Sequence, residues 1–202
     1  MEVVTSPEVN DGVVSTFCDF ADRRLGKRVT ICNDSPGFIG NRLGVYFVQR
    51  AIKATLDHGL SVEQADAMLG RPIGLPKTAV FALMDLIGID LIPKVGESLQ
   101  SRLEQEDPFH KITGPGEDII ITMIEEGNTG RKGKGGFYRL SRDNGKKVKE
   151  ARDLSSGEYH KANRRASFPS AKMGKRGLSA LMDCDDDGAR FVTDVLLDTL
   201  AY

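Results

Sequence analysis

The strongest constraint on the fold is one long amphipathic pattern that spans residues 38–56. A set of apolar side chains lies on one face at helical spacing: Leu43, Val45, Phe47, Val48, Ala51, Ile52 and Leu56. This period predicts an α-helix, and Gly59 supplies a stop signal just beyond it. A helix with so wide an apolar face has to be covered by other elements. We therefore expect a mainly α protein built around this helix.

Shorter helical patterns surround the long one. The first covers residues 7–25, with Ser6 as the expected N-cap and Pro7 in the first turn. The second covers residues 61–69, where Ser61 and Gln64 have the spacing of a capping box. Further helices are predicted over 77–87, 90–105 and 117–126. In the 90–105 helix we expect Asp90 as the N-cap and a buried stripe of Val95, Leu99 and Leu103.

The β-structure expected from the sequence is small. Residues 28–32 (RVTIC) are short and β-branched, which is typical of a strand, although one helix and one strand are too little for a sheet. Residues 136–151 flank Asp143-Asn144-Gly145, a turn signal for a two-stranded hairpin. Residues 152–176 are polar and contain proline, so we predict a linker or surface loop. The tail is helical from about 187 onward.

Composition excludes several classes of function. The 202 residues contain 28 Lys and Arg against 29 Asp and Glu, so no overall electrostatic attraction to nucleic acid or membrane is expected. No run approaches the roughly 20 apolar residues of a membrane helix, and the first residues lack the pattern of a signal peptide. Cys18, Cys32 and Cys184 match no metal-ligand spacing. We predict a cytoplasmic protein with reduced thiols.

The segment most able to carry chemistry is DSPGFIGNR, residues 34–42. Its turn delivers Asn41 and Arg42 into the first turn of the long helix, where unpaired N–H groups favour anionic or carbonyl-bearing ligands. The alternative is structural, namely that Asp34 or Ser35 only caps the helix. The residues by themselves leave both interpretations open.

Three segments together resemble one known family. They are DSPGFIGNR, then GRPIGLPKTAVFALMDLIGID over residues 70–90, then GRKGKGGFY over residues 130–138. In this order they are similar to successive signatures of the C-terminal domain of 3-hydroxyacyl-CoA dehydrogenases. Residues 6–34 resemble the last helix and strand of the Rossmann domain of the same family. Residues 150–170 and 188–202 resemble, more loosely, the connector of long bacterial fusions with enoyl-CoA hydratase.

The resemblance implies a domain organisation and a function. Residues 1–34 would be the end of a truncated Rossmann domain, 35–140 the helical dehydrogenase domain, 141–176 a hairpin and linker, and 177–202 the start of a following helical unit. The fold implied is a helical bundle with a short strand near 28–32 and a small β-hairpin near 136–151. The whole enzyme would oxidise 3-hydroxyacyl-CoA to 3-ketoacyl-CoA with NAD, in fatty-acid β-oxidation.

The same resemblance assigns one residue to the site. Asn41 would contact the acyl-CoA thioester or the catalytic imidazole, whereas the histidine base and its glutamate partner would precede residue 1. We expect neither NAD nor a metal to be bound by this chain alone, because Gly133–Gly136 follows a helix and lacks the G-x-G-x-x-G spacing. The isolated chain is therefore predicted to be inactive.

Several alternatives accompany this hypothesis. His58, His110 and His160 lie outside the family's motifs and are interpreted as structural. The basic run around Arg164 and Arg165 is interpreted as a solvated linker rather than a nucleic-acid site. Apolar faces over 43–58, 78–87 and 91–103 favour a homodimer, although a second helical repeat could cover them in longer proteins. The competing function is a non-catalytic helical interaction module or acyl-CoA-binding module.

Overall fold

The computed structural model describes residues 1–112, 115–143, 145–163, 165 and 167–202. Its α-helices are α1 Asp11–Leu25, α2 Gly40–Asp57, α3 Val62–Met68, α4 Phe81–Ile87, α5 Leu91–Gln100, α6 Pro115–Glu125, α7 Leu178–Met182 and α8 Asp187–Ala201. Short 3₁₀ helices cover Arg71–Ile73, Pro108–Lys111 and Pro169–Arg176. The strands are β1 Glu2–Val4, β2 Thr30–Cys32, β3 Tyr138–Asp143, β4 Lys146–Arg152 and β5 Tyr159–Lys161. The predicted mainly α fold with a small β-hairpin is confirmed.

The main core forms around α2, as the long amphipathic pattern predicts. Ala51 and Ile52 of α2 are buried in one cluster with residues of α3, α4 and α8. Ser61 and Gln64 form the predicted capping box at the start of α3, since each side chain bonds the backbone of the other residue. The capping box fixes where the chain turns back toward α2, because it satisfies the free N–H groups at the start of α3.

Helix α8 packs into this same core. Phe191, Val192 and Val195 are fully buried there. At the edge of the contact, Arg50 of α2 pairs with Asp194 at 2.8 Å and also with Asp198. The tail is therefore an integral part of the packing around α2, and the proposed unit boundary near residue 177 stays a prediction about the domain organisation.

The N-terminal segment differs from the prediction in two respects. Strand β1 pairs in parallel with β2, with Glu2 opposite Thr30 and Val4 opposite Cys32, so a two-stranded sheet does form. Helix α1 begins after Asn10, whose side chain accepts from the Gly12 N–H at 2.8 Å, and Ser6 is not its N-cap. A parallel pair needs a crossover, and α1 supplies it, which makes a βαβ unit.

The C-terminal sheet has one strand more than predicted. The expected hairpin is β3 and β4, paired from Tyr138 opposite Ala151 to Asp143 opposite Lys146. The residue at the tip of the predicted turn, Asn144, lies outside the described residues. Strand β5 then pairs with β4, inside the segment predicted as a linker. Its polar sequence has no apolar alternation to signal a strand, because both faces of this short edge strand are partly exposed.

Helix α5 also departs from its predicted form. It ends at Gln100 rather than near 105, and Asp90 makes no side-chain hydrogen bond as its cap. Leu99 is 3% exposed, as expected for a stripe residue, but Val95 is 39% exposed. The face that α5 buries is formed by Ile92, Gly96 and Leu99. The prediction of Val95 as buried is therefore wrong, since the buried stripe runs one position away from it.

Candidate functional site

The start of α2 is shaped by an unusual turn after β2. Gly37 has φ of 76° and Phe38 has φ of 51°, a left-handed conformation that costs a non-glycine residue on the order of 1–3 kcal/mol. A Cβ at position 37 would lie 2.8 Å from Leu99 Cδ2. Glycine is thus favoured there by its conformation, and an added Cβ would also crowd the Arg42 backbone nitrogen at 3.2 Å, so the turn holds the first residues of α2 in a defined position.

A carboxylate from a distant part of the chain occupies this helix start. Neither Asp34 nor Ser35 makes a cap hydrogen bond to α2, so the alternative of a local side-chain cap is wrong. Instead, Glu2 Oε1 accepts a hydrogen bond from the Gly40 N–H at 2.6 Å. A negative side chain suits the partial positive charge of a helix N-terminus. Sequence reasoning missed Glu2 because it lies 38 residues away from its partner.

Asn41 and Arg42 point to different surroundings. Asn41 is exposed. Arg42 donates from Nε to Tyr202 Oη at 2.8 Å and pairs with Asp107, and the ring of Tyr202 stacks on Tyr46 with centroids 4.0 Å apart. The hydrogen bond to Tyr202, together with the charge of Asp107, raises the pKa of Arg42 above its ordinary value. Arg42 therefore anchors the helix start, and Asn41 is left available for contact with a ligand.

Apolar side chains remain exposed near this junction. Phe38, Ile39 and Leu43 are each about two-fifths exposed. Helix α1 buries only Ala21, and its Phe17 and Phe20 are also exposed. Large apolar groups in such numbers on one end of a chain are typical of a surface that meets another protein segment or a ligand.

The second and third family signatures have a structural explanation that centres on two aspartates. Asp66 of α3 accepts hydrogen bonds from the N–H groups of Val80, Phe81 and Ala82 and from Tyr138 Oη. It therefore caps α4, which explains why α4 begins at Phe81 rather than near residue 77. Burial raises the pKa of Asp66 to about 6, against these hydrogen bonds, which lower it.

Asp85 joins α4 to the glycine-rich segment before β3. Its carboxylate accepts from the N–H groups of Phe137 and Tyr138, each at 2.8 Å, and its carbonyl oxygen accepts from Arg131 N–H at 2.8 Å. A Cβ at Gly136 would lie 2.0 Å from Asp85 Oδ1. Burial raises the pKa of Asp85 to about 6 as well. The glycines of this loop therefore allow close packing on α4.

Each histidine has a partner in the protein. His58 Nε2 lies 3.0 Å from Asp194 Oδ2, and its ring meets the edge of Phe191. His110 Nε2 lies 3.0 Å from the Glu104 carbonyl oxygen, and His160 Nε2 lies 3.2 Å from Glu63 Oε1. None of these contacts involves Asn41. The three histidines are therefore interpreted as structural residues.

The residues that the structure describes do not fit an NAD site. In the βαβ unit the connection from β1 to α1 is TSPEVN, without a glycine, so the close backbone approach to a pyrophosphate is not available. The loop before β3 follows helix α6, and two of its glycines, Gly130 and Gly136, are packed against Asp85. No step of a hydride transfer can therefore be derived from the described part of the chain.

Other site chemistry is equally limited in the described residues. Cys18, Cys32 and Cys184 are free thiols in the structure. Over the residues described, no group of three or more histidine, cysteine or carboxylate side chains is placed to hold a metal ion. Within the same ranges, every helix is too short or too polar to cross a membrane.

Comparison with known proteins places the chain among dehydrogenases. Residues 37–140 match the family model described as 3-hydroxyacyl-CoA dehydrogenase, C-terminal domain. A putative fatty acid oxidation complex trifunctional enzyme of Rickettsia prowazekii is 32% identical over 100% of this chain, and the alignment covers 27% of its own length. A probable 3-hydroxyacyl-CoA dehydrogenase of Deinococcus radiodurans is 32% identical over 71% of this chain and 40% of its own length. The chain thus spans well under half of these relatives.

Solved structures agree with this placement. The crystal structure of FadB2 from M. tuberculosis aligns with 69% of this chain and 47% of its own, with a TM-score of 0.54 and 25% identity. A 3-hydroxybutyryl-CoA dehydrogenase from Ralstonia eutropha has the same fold, with a TM-score of 0.50 and 24% identity. The alignment covers 65% of this chain and 44% of that protein. The matched region therefore has the architecture of a dehydrogenase domain.

Proposed function

Because the chain belongs to the 3-hydroxyacyl-CoA dehydrogenase family, we propose that it supplies the substrate-side and dimerisation domain of a cytoplasmic NAD-dependent enzyme. That enzyme would oxidise 3-hydroxyacyl-CoA to 3-ketoacyl-CoA in fatty-acid β-oxidation. The match of residues 37–140 to the family model carries this proposal. The reaction needs a base and a bound nicotinamide, so the other wall of the site has to come from a further segment.

Asn41 is the residue proposed to touch the substrate. Its exposure at the start of α2 supports this role, because Arg42 is held by Tyr202 and Asp107 while Asn41 is not drawn into that network. A side-chain amide can donate to a thioester oxygen or accept from an imidazole. The exposed Phe38 and Ile39 beside it suit the apolar part of an acyl chain.

Glu2 adds a carboxylate to the same helix start. One of its oxygens is bonded to Gly40 N–H, which fixes the side chain one residue before Asn41. A carboxylate beside a catalytic imidazole orients the ring and stabilises its charged form. We expected this partner to precede residue 1, and Glu2 is a candidate for it within the chain, facing a histidine that another segment would deliver.

An activity assay tests the proposal. The 202-residue chain should not reduce acetoacetyl-CoA with NADH above a heat-treated control, because positioning of base and cofactor supplies up to roughly 7–11 kcal/mol of such a barrier. The chain fused behind the nucleotide-binding domain of the Deinococcus relative should turn over. An inactive fusion that still binds acyl-CoA would favour the non-catalytic module instead.

The proposed homodimer rests on an apolar face of α4 and α5. Leu83, Leu86 and Ile87 lie on one side of α4, and Leu91 and Val95 on one side of α5, each between 37% and 46% exposed. Helix α2, which we also expected to offer such a face, is instead covered by α8, α6, α5 and α3 of the same chain. Of the three faces expected to self-associate, those of α4 and α5 therefore stay the most exposed, and Leu43 at the start of α2 and Ile121 of α6 are further exposed apolar residues.

Sedimentation of charged variants tests the dimer. Leu86→Glu combined with Leu91→Glu should convert a dimer into a monomer, since burying two unpaired carboxylates is very costly. Leu140→Glu is the matched control, because Leu140 is 71% exposed on β3. A wild-type chain that sediments as a monomer at high concentration, or a double variant that stays dimeric, would contradict this interface.

A further inference from the structure

A cleft between α4, the glycine-rich loop and the β3–β4 hairpin has no role in the proposed reaction. It consists of two adjoining cavities, one of about 600 Å³ and one of about 520 Å³. Ala82, Tyr138 and Lys149 line both of them, so the two lie side by side. We call this region the basic cleft. Its size is that of cavities that hold small organic ligands.

Positive side chains outnumber negative ones along the basic cleft. The cationic lining residues are Arg71, Lys77, Arg131, Lys134, Arg139 and Lys149, and the acidic ones are Glu63, Asp66 and Asp85. The oxygens of Asp66 and Asp85 already accept several hydrogen bonds from backbone N–H groups and Tyr138. Glu63 Oε1 is likewise engaged by His160 and by Asn163 N–H. Apart from Glu63 Oε2, which is buried without a hydrogen-bond partner, the carboxylate oxygens of these described residues are already hydrogen-bonded.

Most of these cations make no direct ion pair, although the charge of Asp85 acts on Arg131 and Lys149 from a distance. Among the described residues Arg71, Lys77, Arg131 and Lys149 form no ion pair within 4.0 Å, whereas Arg139 pairs with Glu150. The Lys149 ammonium instead lies 3.6 Å from the centroid of the Tyr138 ring, and desolvation lowers its pKa. The carboxylates of Asp66, Asp85 and Glu63 act on this ammonium from beyond ion-pair distance, so a direct contact with an external anion remains open to it.

The loop backbone contributes little to this site. The N–H groups of Gly130, Arg131, Gly133, Lys134 and Gly136 all donate to carbonyl oxygens within the protein. Recognition of an anion would therefore depend on the side chains rather than on a nest of free N–H groups. Several cations spread over two cavities need more than one negative charge, and a single carboxylate would leave most of them unneutralised.

We propose that the basic cleft binds the diphosphate group of a small organic ligand. Arg131 and Lys149, which both line the larger cavity, hold the phosphates, and the adjoining cavity lined by Arg71 and Lys77 accommodates the rest of the molecule. None of its lining residues belongs to the segment 34–42 that contains Asn41, and the site does not depend on the proposed dehydrogenase reaction. Inorganic pyrophosphate, ADP and coenzyme A share the required chemistry.

Calorimetric titration of the 202-residue chain tests the site. At low ionic strength ADP and pyrophosphate should bind, adenosine should not, and added salt should weaken binding, as expected for charged partners. Arg131→Gln combined with Lys149→Gln should weaken binding by about tenfold or more, because two charge-assisted contacts are lost. The matched control removes two exposed positive charges elsewhere, with Lys94→Gln and Arg102→Gln, and should change the affinity less than about twofold.

The outcomes separate the possibilities. Selective loss in the cleft variant, with its thermal unfolding unchanged, supports the site, and the rank order of pyrophosphate, ADP and coenzyme A then identifies the remainder of the ligand. Equal loss in the control variant would reveal only a general response to net charge and would overturn the proposal. Absence of any binding, or equal binding of adenosine and ADP, would overturn it too.

Discussion

The contact between Gly136 and Asp85 offers a sharp test of the role assigned to the glycine-rich segment. Gly136→Ala would place a Cβ 2.0 Å from Asp85 Oδ1 and 2.9 Å from Gly130 Cα. Asp85 can move away only by releasing the N–H groups of Phe137 and Tyr138. Overpacking costs about 1–3 kcal/mol and each lost bond to a carboxylate about 1.5–3 kcal/mol. Because the clash falls on Oδ1, which accepts from the Phe137 N–H, we expect that one bond to be lost and the free energy of unfolding to fall by about 3–5 kcal/mol.

Urea unfolding followed by circular dichroism measures this loss, with Gly44→Ala as the control. Gly44 lies in α2, and the methyl group of an alanine there would meet nothing within 4 Å, so this substitution should stabilise the helix by about 0.5–1 kcal/mol. In a chain of this size the destabilised variant should melt about 10 °C lower. If Gly136→Ala unfolds within about 0.5 kcal/mol of the wild type, the packing argument for this segment is refuted.

Three further predictions concern stability. Folding raises the pKa of Asp66 and Asp85 from 3.8 to about 6, so the native state holds protons that the unfolded chain releases. The free energy of unfolding should therefore fall as pH rises from about 4 to above 6, by on the order of 2–3 kcal/mol per carboxyl group. A urea midpoint that stays constant or rises between about pH 5 and 7 would contradict this. Ser61→Ala should cost about 1 kcal/mol in the same assay through loss of the capping box, and no measurable change would show that the cap is dispensable. Phe191→Ala should cost about 3–5 kcal/mol, whereas a small effect would mean that α8 is not part of the core.

The sequence predicted those elements whose signals are local. The capping box of Ser61 and Gln64 and the apolar face of α2 depend on residues a few positions apart, and both occur as expected. The hairpin of β3 and β4 was found for the same reason. Strand β1 was not predicted, because its three residues pair only with β2, which lies beyond α1 in the sequence.

The parts that sequence reasoning missed depend on contacts between distant residues. Glu2 reaches the start of α2 from 38 positions away, and Asp85 meets Phe137 across 52. Val95 is exposed because another side of α5 faces α2 and α6. The spacing of apolar residues does not show which side of a helix will meet its neighbours. For the candidate site, the motif around Asn41 was visible in the sequence, but the anchoring of Arg42 by Tyr202 was not.

Steady-state kinetics of Asn41→Ala in the fused dehydrogenase tests the central claim most directly. The account predicts that kcat/KM for acetoacetyl-CoA falls by about 100-fold, the usual loss for one polar contact to the reacting group, while thermal unfolding is unchanged because Asn41 is exposed. Gln105→Ala, which removes an exposed amide elsewhere, should leave kcat/KM unaltered. An Asn41→Ala enzyme as active as its parent would contradict the account.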